Sequence, residues 1–137
     1  MQKKLEKLFQ QYIEAFSEYD LNKVARCYQL PCSLSTPDRM IVVENEHAFN
    51  QEFSDIFQQL LQANTQQINA LNASYLALNS HLALTCVDWA FINDEGETFA
   101  DFSAFYHIDI REDNGKIISV SSFDLSQSQQ FSSTLDI

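Results

Sequence analysis

The 137-residue chain contains little glycine and proline, two residues of each. Because these residues interrupt helices and strands, their scarcity indicates that most of the chain lies in regular elements, without long linkers. Both glycines, Gly96 and Gly115, lie in predicted turns. The sequence therefore has no glycine-rich loop for a phosphate group, and no Gly-x-Ser-x-Gly motif supports a nucleophilic serine.

Basic residues are also few. Eight Lys and Arg stand against nineteen Asp and Glu, which gives a net charge of −11. Since such a chain repels phosphate backbones and anionic lipids, we expect neither nucleic acid nor a membrane as its partner. No apolar run approaches the ~18 residues of a membrane span. Lys4, Glu6 and Lys7 interrupt the N-terminal region where a signal peptide needs an apolar run, so we expect a cytoplasmic protein.

Cysteine and histidine are sparse and scattered. Cys27, Cys32 and Cys86 are odd in number and follow no metal-binding spacing, and the three histidines lie on different predicted elements. This pattern favours free, buried thiols in a reducing compartment. We expect no metal site and no cofactor.

Hydrophobic residues make up 45% of the chain and aromatic residues 12%, which is typical of one globular domain at this length. Apolar residues at helical spacing predict a first helix over Leu5–Phe16 and a third over Phe49–Leu61. Asp20 is expected to cap a short second helix, in which Leu21, Val24 and Tyr28 share an apolar face, and Asn45 to cap the third.

The rest of the chain predicts strands. A proline-bracketed strand near Ser33–Ser35 and the apolar segment Met40–Val43 are expected to form a hairpin. Further strands are predicted over 68–78, 82–92, 99–110 and 116–125, with an Asn-Gly hairpin turn at Asn114 and Gly115. The predicted domain covers residues 1–125. Residues 126–137 are expected to form a polar, loose tail, in which Phe131 and Leu135 could dock on the domain.

Two segments resemble a known superfamily. Residues 12–21, Tyr-Ile-Glu-Ala-Phe-Ser-Glu-Tyr-Asp-Leu, resemble the first helix and helix junction of the ketosteroid isomerases, and Gly115–Val120 resembles their last strand. These enzymes belong to the nuclear-transport-factor-like superfamily with the SnoaL-like proteins. The resemblance implies an α+β, cystatin-like cone, in which a curved antiparallel sheet wraps around a long helix and encloses a pocket. It also implies a homodimer joined through the outer sheet face.

The same resemblance implies roles for individual residues of the site. In the isomerases a Tyr on the first helix and a late-strand Asp donate hydrogen bonds to the substrate oxyanion, and an Asp before a Pro moves the proton. Tyr12 falls on the Tyr position, Tyr106 on the late-strand Asp position, and Thr36 replaces the Asp before Pro37. Because a Thr hydroxyl is far too weakly basic to act as a general base, steroid isomerase activity is not expected.

Strand alternation adds further candidates for the pocket. On the penultimate strand Phe102 and Tyr106 share the face expected to point inward, and Trp89 does so on the preceding strand. Asp88 and His107 are then expected to point outward. On the last strand Ser122 shares a face with Asp124, the one carboxylate that this strand could bring towards the pocket.

Two functions remain open from the sequence. The favoured one is a SnoaL-like module that binds a small apolar molecule with a polar end near Tyr12 and Tyr106. The alternative is a cofactor-free lyase, cyclase or isomerase that uses Asp124 as acid or base. The sequence offers aromatic and hydroxyl side chains but no clear proton-transfer pair. The position of Asp124, in the pocket or in solvent, separates the two functions.

Overall fold

The computed structural model describes residues 1–137 as three helices and one curved, open sheet of seven strands. The helices are α1 (Gln2–Ser17), α2 (Leu21–Ala25) and α3 (Glu46–Gln62). The strands are β1 (Tyr28–Ser35), β2 (Met40–Val43), β3 (Thr65–Ala77), β4 (Leu82–Asn93), β5 (Thr98–Asp109), β6 (Lys116–Phe123) and β7 (Ser133–Thr134). Their order in the sheet is β2-β1-β6-β5-β4-β3-β7. The predicted α+β class is confirmed.

The second and third helices begin directly after their predicted caps, whereas α1 begins at Gln2, before the predicted Leu5. The Asp20 side chain accepts a hydrogen bond from the backbone N–H of Lys23, and Asn45 accepts one from Ala48, so each satisfies a free N–H in a first helical turn. The apolar side of α1 faces the core, with Phe9 and Tyr12 among its buried residues. None of the helices combines the length and apolar character needed to cross a membrane.

The sheet follows the predicted alternation. In the register of β4 and β5, Trp89 pairs with Phe102 and Thr85 pairs with Tyr106, all on the inner face. Aromatic side chains join the helices to this face: the rings of Tyr28 and Phe53 lie 5.3 Å apart. The core therefore lies between α1, α3 and the concave side of the sheet.

One strand pair departs from the expected antiparallel sheet. The strand β1 runs antiparallel to β2 but parallel to β6, through pairs such as Leu34 with Val120. It also begins earlier than predicted, at Tyr28, and includes Pro31. The longer β1 brings Tyr28 onto the wall of the core.

The turn between β5 and β6 lies where the Asn-Gly pair predicts, but it is not a tight hairpin. Residues 110–115 form the connection. Gly115 is buried, and a β-carbon there would lie 3.3 Å from the Leu8 side chain and 3.6 Å from that of Ile108. Glycine therefore serves close approach of α1 to the sheet rather than the turn itself.

The C-terminal segment packs on the sheet, in contrast to the predicted loose tail. The strand β7 pairs with β3, the Phe131 N–H donates to Ser74 Oγ at 2.9 Å, and the Leu135 N–H donates to the Ala73 carbonyl at 2.9 Å. Leu135 is buried. The segment docks through the two apolar side chains that its sequence offers for this, Phe131 and Leu135.

Candidate functional site

A cavity of about 180 Å³ lies between α1, α3 and the inner face of the sheet. Twelve of its fifteen lining residues are hydrophobic. The lining residues are Tyr12, Phe16, Tyr28, Leu34, Ser35, Thr36, Phe53, Ile56, Ile68, Trp89, Phe91, Phe102, Tyr106, Val120 and Ser122. Because no Asp, Glu, His, Lys or Arg is among them, the polar groups of the wall are hydroxyls and the indole of Trp89.

The structure brings six sequence-predicted residues together in this cavity. Their elements differ: one lies on α1, one follows β1, and the others lie on β4, β5 and β6. They are Tyr12, Thr36, Trp89, Phe102, Tyr106 and Ser122. Their placement on one wall follows from helix and strand periodicity, whereas their contact with a ligand stays a prediction.

Thr36 lies at the exposed mouth of the cavity. Its hydroxyl accepts a hydrogen bond from the Arg39 N–H at 3.3 Å and can donate to the Arg39 carbonyl at 3.4 Å. The side chain thus serves the turn between β1 and β2. A hydroxyl in this position cannot replace a carboxylate as a base.

Three buried phenols, Tyr12, Tyr28 and Tyr106, meet at the closed end of the cavity and form, with Trp89, what we call the phenol cluster. The hydroxyls of Tyr12 and Tyr28 lie 3.0 Å apart, and the Trp89 indole N–H donates to the Tyr106 hydroxyl at 2.9 Å. The ring centroids of Tyr12 and Tyr106 are 6.0 Å apart in a T-shaped arrangement. Helix α1 and three strands therefore fix the four side chains against each other.

Burial raises the pKa of each of these three phenols well above its ordinary value. Mutual repulsion of the would-be phenolates adds to this effect, since Tyr28 raises the pKa of Tyr12, and Tyr12 that of Tyr106. The phenols consequently stay protonated at neutral pH and act as neutral hydrogen-bond donors.

The phenol cluster has more hydrogens than internal acceptors use. Three hydroxyls and one indole N–H supply four hydrogens, and the two hydrogen bonds of the cluster use two of them. At least one phenol hydrogen therefore remains available to an acceptor in the cavity.

Asp124, the predicted acid–base residue, does not lie in the cavity. It is exposed and caps a 3-10 helix, Leu125–Gln127, where it accepts hydrogen bonds from the Ser126 hydroxyl at 2.6 Å and the Ser126 N–H at 2.9 Å. These bonds lower the pKa of Asp124, so it is ionised at neutral pH. Because β6 ends at Phe123, the alternation that suggested an inward Asp124 no longer applies.

Sequence reasoning missed Tyr28 as a cavity residue. Its spacing from Leu21 and Val24 had placed it on the apolar side of the second helix. The signal was present in the strand that follows: a period of two, counted back from Leu34 through Cys32, leads to Tyr28. Phe53, expected as part of the stripe of the third helix, also reaches the cavity wall.

The chain offers no obvious metal centre. No three His, Cys, Asp or Glu side chains come close enough together to hold a metal ion. Cys27, Cys32 and Cys86 are free and buried.

A cone of sheet and helices with an apolar cavity is the architecture of the NTF2-like proteins. Residues 3–124 match the family described as NTF2-like protein (DUF6841), and the chain belongs to this family. The superfamily predicted from the sequence is thus confirmed, whereas the replacement of its catalytic Asp by Thr36 stays a prediction. None of the curated proteins compared with the chain matches it.

Solved structures share the fold at low sequence identity. A domain of unknown function with a cystatin-like fold from Nostoc punctiforme has a TM-score of 0.71 at 16% identity, over 87% of this chain and 74% of that one. An NTF-2 like protein of unknown function from Shewanella oneidensis has a TM-score of 0.71 at 12% identity, over 89% and 98%. A ketosteroid isomerase-like protein from Erwinia carotovora atroseptica has a TM-score of 0.66 at 12% identity, over 90% and 95%.

Proposed function

We propose that this protein binds a small, mostly apolar molecule that carries a neutral oxygen acceptor. The observation that carries the proposal is the phenol cluster, which leaves a phenol hydrogen without a protein acceptor at the closed end of an apolar cavity. A buried donor without a partner costs free energy, and a ligand oxygen that accepts its hydrogen bond removes that cost. Apolar walls supply the remaining affinity.

The volume of the cavity supports a ligand of about one ring. An engineered apolar cavity of roughly 150 Å³ holds benzene. The cavity of about 180 Å³ has room for such a ring and a short substituent. A steroid-sized molecule would not fit this volume unless the walls moved.

The chemistry of the wall supports a ketone, aldehyde or similar group over a carboxylate. No cationic side chain lines the cavity, and the chain carries a net charge of −11. An anion would lose its hydration without gaining a counter-charge. A carbonyl oxygen needs only the donors that Tyr12, Tyr28 and Tyr106 provide.

The lining of the cavity favours binding of the ligand over its chemical conversion. A lyase, cyclase or isomerase without a cofactor needs a group that takes and returns a proton close to the ligand. The cavity wall holds no carboxylate or imidazole, and Asp124 lies in solvent. The alternative function therefore has no carboxylate or imidazole to act as the base at the site, and the buried phenols stay protonated.

The test compares two probes of the same shape, acetophenone and ethylbenzene, by thermal unfolding of the protein. Ligand that binds the native state raises the unfolding temperature according to its concentration and affinity. We expect stabilisation by both probes and a larger effect from acetophenone, because only its oxygen accepts a phenol hydrogen. Replacing Tyr12, Tyr28 and Tyr106 together by Phe removes every phenol hydrogen and should reduce the difference. Tyr19→Phe, which removes a hydroxyl bonded to the Thr65 carbonyl outside the cavity, should not.

Two results would overturn the proposal. One is no stabilisation by any probe of this size, which would indicate a cavity that does not admit ligands. The other is equal stabilisation by acetophenone and ethylbenzene, which would show that the phenol cluster takes no part.

We also propose that the protein acts as a homodimer in the cytoplasm. Leu76 and Leu84 are neighbours across the outer face of the sheet, and Leu76 is 45% exposed. His107 pairs with Leu84, and a buried nitrogen of its ring has no hydrogen-bond partner within the chain. An apolar strip of this kind supports burial against a second copy.

Three free cysteines support a reducing compartment, which agrees with the proposed location in the cytoplasm.

A further inference from the structure

A second cavity, of about 270 Å³, lies on the opposite side of the sheet from the phenol cluster. The C-terminal segment covers the outer face of β3 and β4 there. The polar lining includes Asn72, Ser74, Asp88 and Gln130, and Leu71 and Phe131 supply apolar surface. This outer cavity shares no residue with the inner one.

Asp88 is the unusual group in the outer cavity, because it is a carboxylate with only 5% of its surface exposed. Its Oδ1 atom accepts short hydrogen bonds from the Ser103 hydroxyl at 2.8 Å and the Ser128 hydroxyl at 2.6 Å. Its Oδ2 atom has one long contact, 3.4 Å, with the Asn72 amide. One oxygen accepts two short hydrogen bonds, whereas the other accepts a single long one.

No cationic side chain compensates Asp88. The four ion pairs of the chain use other carboxylates, those of Glu14, Glu18, Glu52 and Asp109. A buried carboxylate without a counter-charge is costly, and donors to one of its oxygens offset only part of that cost. The outer cavity therefore lacks a positively charged hydrogen-bond donor beside Oδ2.

We propose that the outer cavity binds a small primary ammonium compound whose N–H groups donate to Asp88. An ammonium group offers three donors and a full positive charge, so it supplies what Oδ2 lacks. Leu71 and Phe131 accommodate a short alkyl chain beside it. A metal ion fits less well, because Asp88 stands without two further His, Cys, Asp or Glu ligands.

Isothermal titration calorimetry at roughly 0.15 M salt tests the site with three probes. These are n-butylammonium, tetramethylammonium, which has the charge but no N–H, and n-butanol, which has the chain but no charge. We expect saturable binding of n-butylammonium and at least tenfold weaker binding of the other two. Equal binding of tetramethylammonium would overturn the proposal, since it would show general attraction of cations to an acidic protein.

Asp88→Asn separates this site from the rest of the acidic surface. The variant keeps the shape of the side chain and removes its charge, so n-butylammonium should bind at least tenfold more weakly. Asp101→Asn is the matched control, because it removes an exposed carboxylate from β5 and should leave binding unchanged. Unchanged binding by Asp88→Asn would refute the site.

A measurement on the unaltered protein decides the question if Asp88→Asn does not fold. In amide NMR spectra, n-butylammonium should shift the side-chain amide of Asn72 and the backbone amide of Phe131, both of which border the outer cavity. The backbone amide signal of Tyr28, which lies in the inner cavity, should not shift. Shifts confined to exposed acidic residues elsewhere would contradict the proposal.

Discussion

At the scale of single residues, the candidate site depends on the buried hydrogen bond that Trp89 donates to Tyr106. Both side chains are 2% exposed, and the Tyr106 hydroxyl is the hydrogen-bond partner of the indole N–H. Tyr106→Phe should lower the free energy of unfolding by about 1–3 kcal/mol, because it leaves a buried N–H without an acceptor. Urea unfolding measures the change. Tyr75→Phe, which removes a hydroxyl without a hydrogen-bond partner, should change stability much less.

Buried thiols and phenols predict the alkaline pH dependence of stability. Burial raises the pKa of Cys27 from 9.0 to about 11. Below pH 9 the thiol is protonated in both the folded and the unfolded chain. As the pH rises from 9 towards 11 the unfolded chain loses its proton first, so the free energy of unfolding falls, by up to about 2–3 kcal/mol for this thiol.

The three phenols of the phenol cluster extend this loss above pH 10, since their pKa values are also raised by burial. Urea midpoints measured between pH 7 and 11 check the trend. Cys27→Val should make the fall between pH 9 and 11 shallower and leave the contribution of the phenols above pH 10. A midpoint that stays constant to pH 11 would contradict the burial of these groups.

At the scale of helices and strands, the sequence predicts those features that depend on near neighbours. The caps at Asp20 and Asn45 and the alternation of Phe102 and Tyr106 are local properties, and the structure contains them. Gly115 and Tyr28 were misassigned because their roles depend on distant partners. The side chain of Leu8, far away in sequence, leaves little room for a β-carbon at residue 115. Pairing with β6 makes Tyr28 part of a strand.

The C-terminal segment predicts a change in the reactivity of one thiol. Ser128 contacts both Cys86 and Asp88, and Cys86 is 2% exposed. A chain that ends after Gln127 should let a thiol reagent modify Cys86 under native conditions, within a time in which the full chain shows no reaction. Cys27 and Cys32 should stay protected in both chains, because they are buried in the main core.

The same truncation should lower the free energy of unfolding by about 1.5–3 kcal/mol through the loss of Leu135 burial alone. Gln129→Ala, at an exposed position of the segment, is the control and should change neither stability nor labelling. Labelling of all three thiols in the truncated chain would indicate general unfolding. Labelling of none would show that the segment does not protect Cys86.

At the scale of the whole molecule, the sequence predicts the wall of the cavity better than its chemistry. Strand alternation predicted Trp89 and Tyr106, and the family resemblance predicted Tyr12, because a cone directs the inward residues of its elements towards one hollow. The absence of a base in the cavity could not be predicted from the local sequence. It follows from the point at which the chain leaves β6, after Phe123, which turns Asp124 into solvent.

The exposure of the two faces of the sheet also predicts the oligomeric state. The inner face is covered by helices, and the C-terminal segment covers Cys86 and Asp88 on the outer face, but Leu76 and Leu84 remain partly exposed. We expect sedimentation analysis to give a dimer. Leu84→Asp should give a monomer, because a carboxylate on each copy would be desolvated and repelled at the shared face. Leu61→Asp is the matched control: Leu61 is 50% exposed on α3, away from this face, and its replacement should leave the dimer intact. A monomeric unaltered chain, or a dimer that survives Leu84→Asp, would show that the outer face is not the interface.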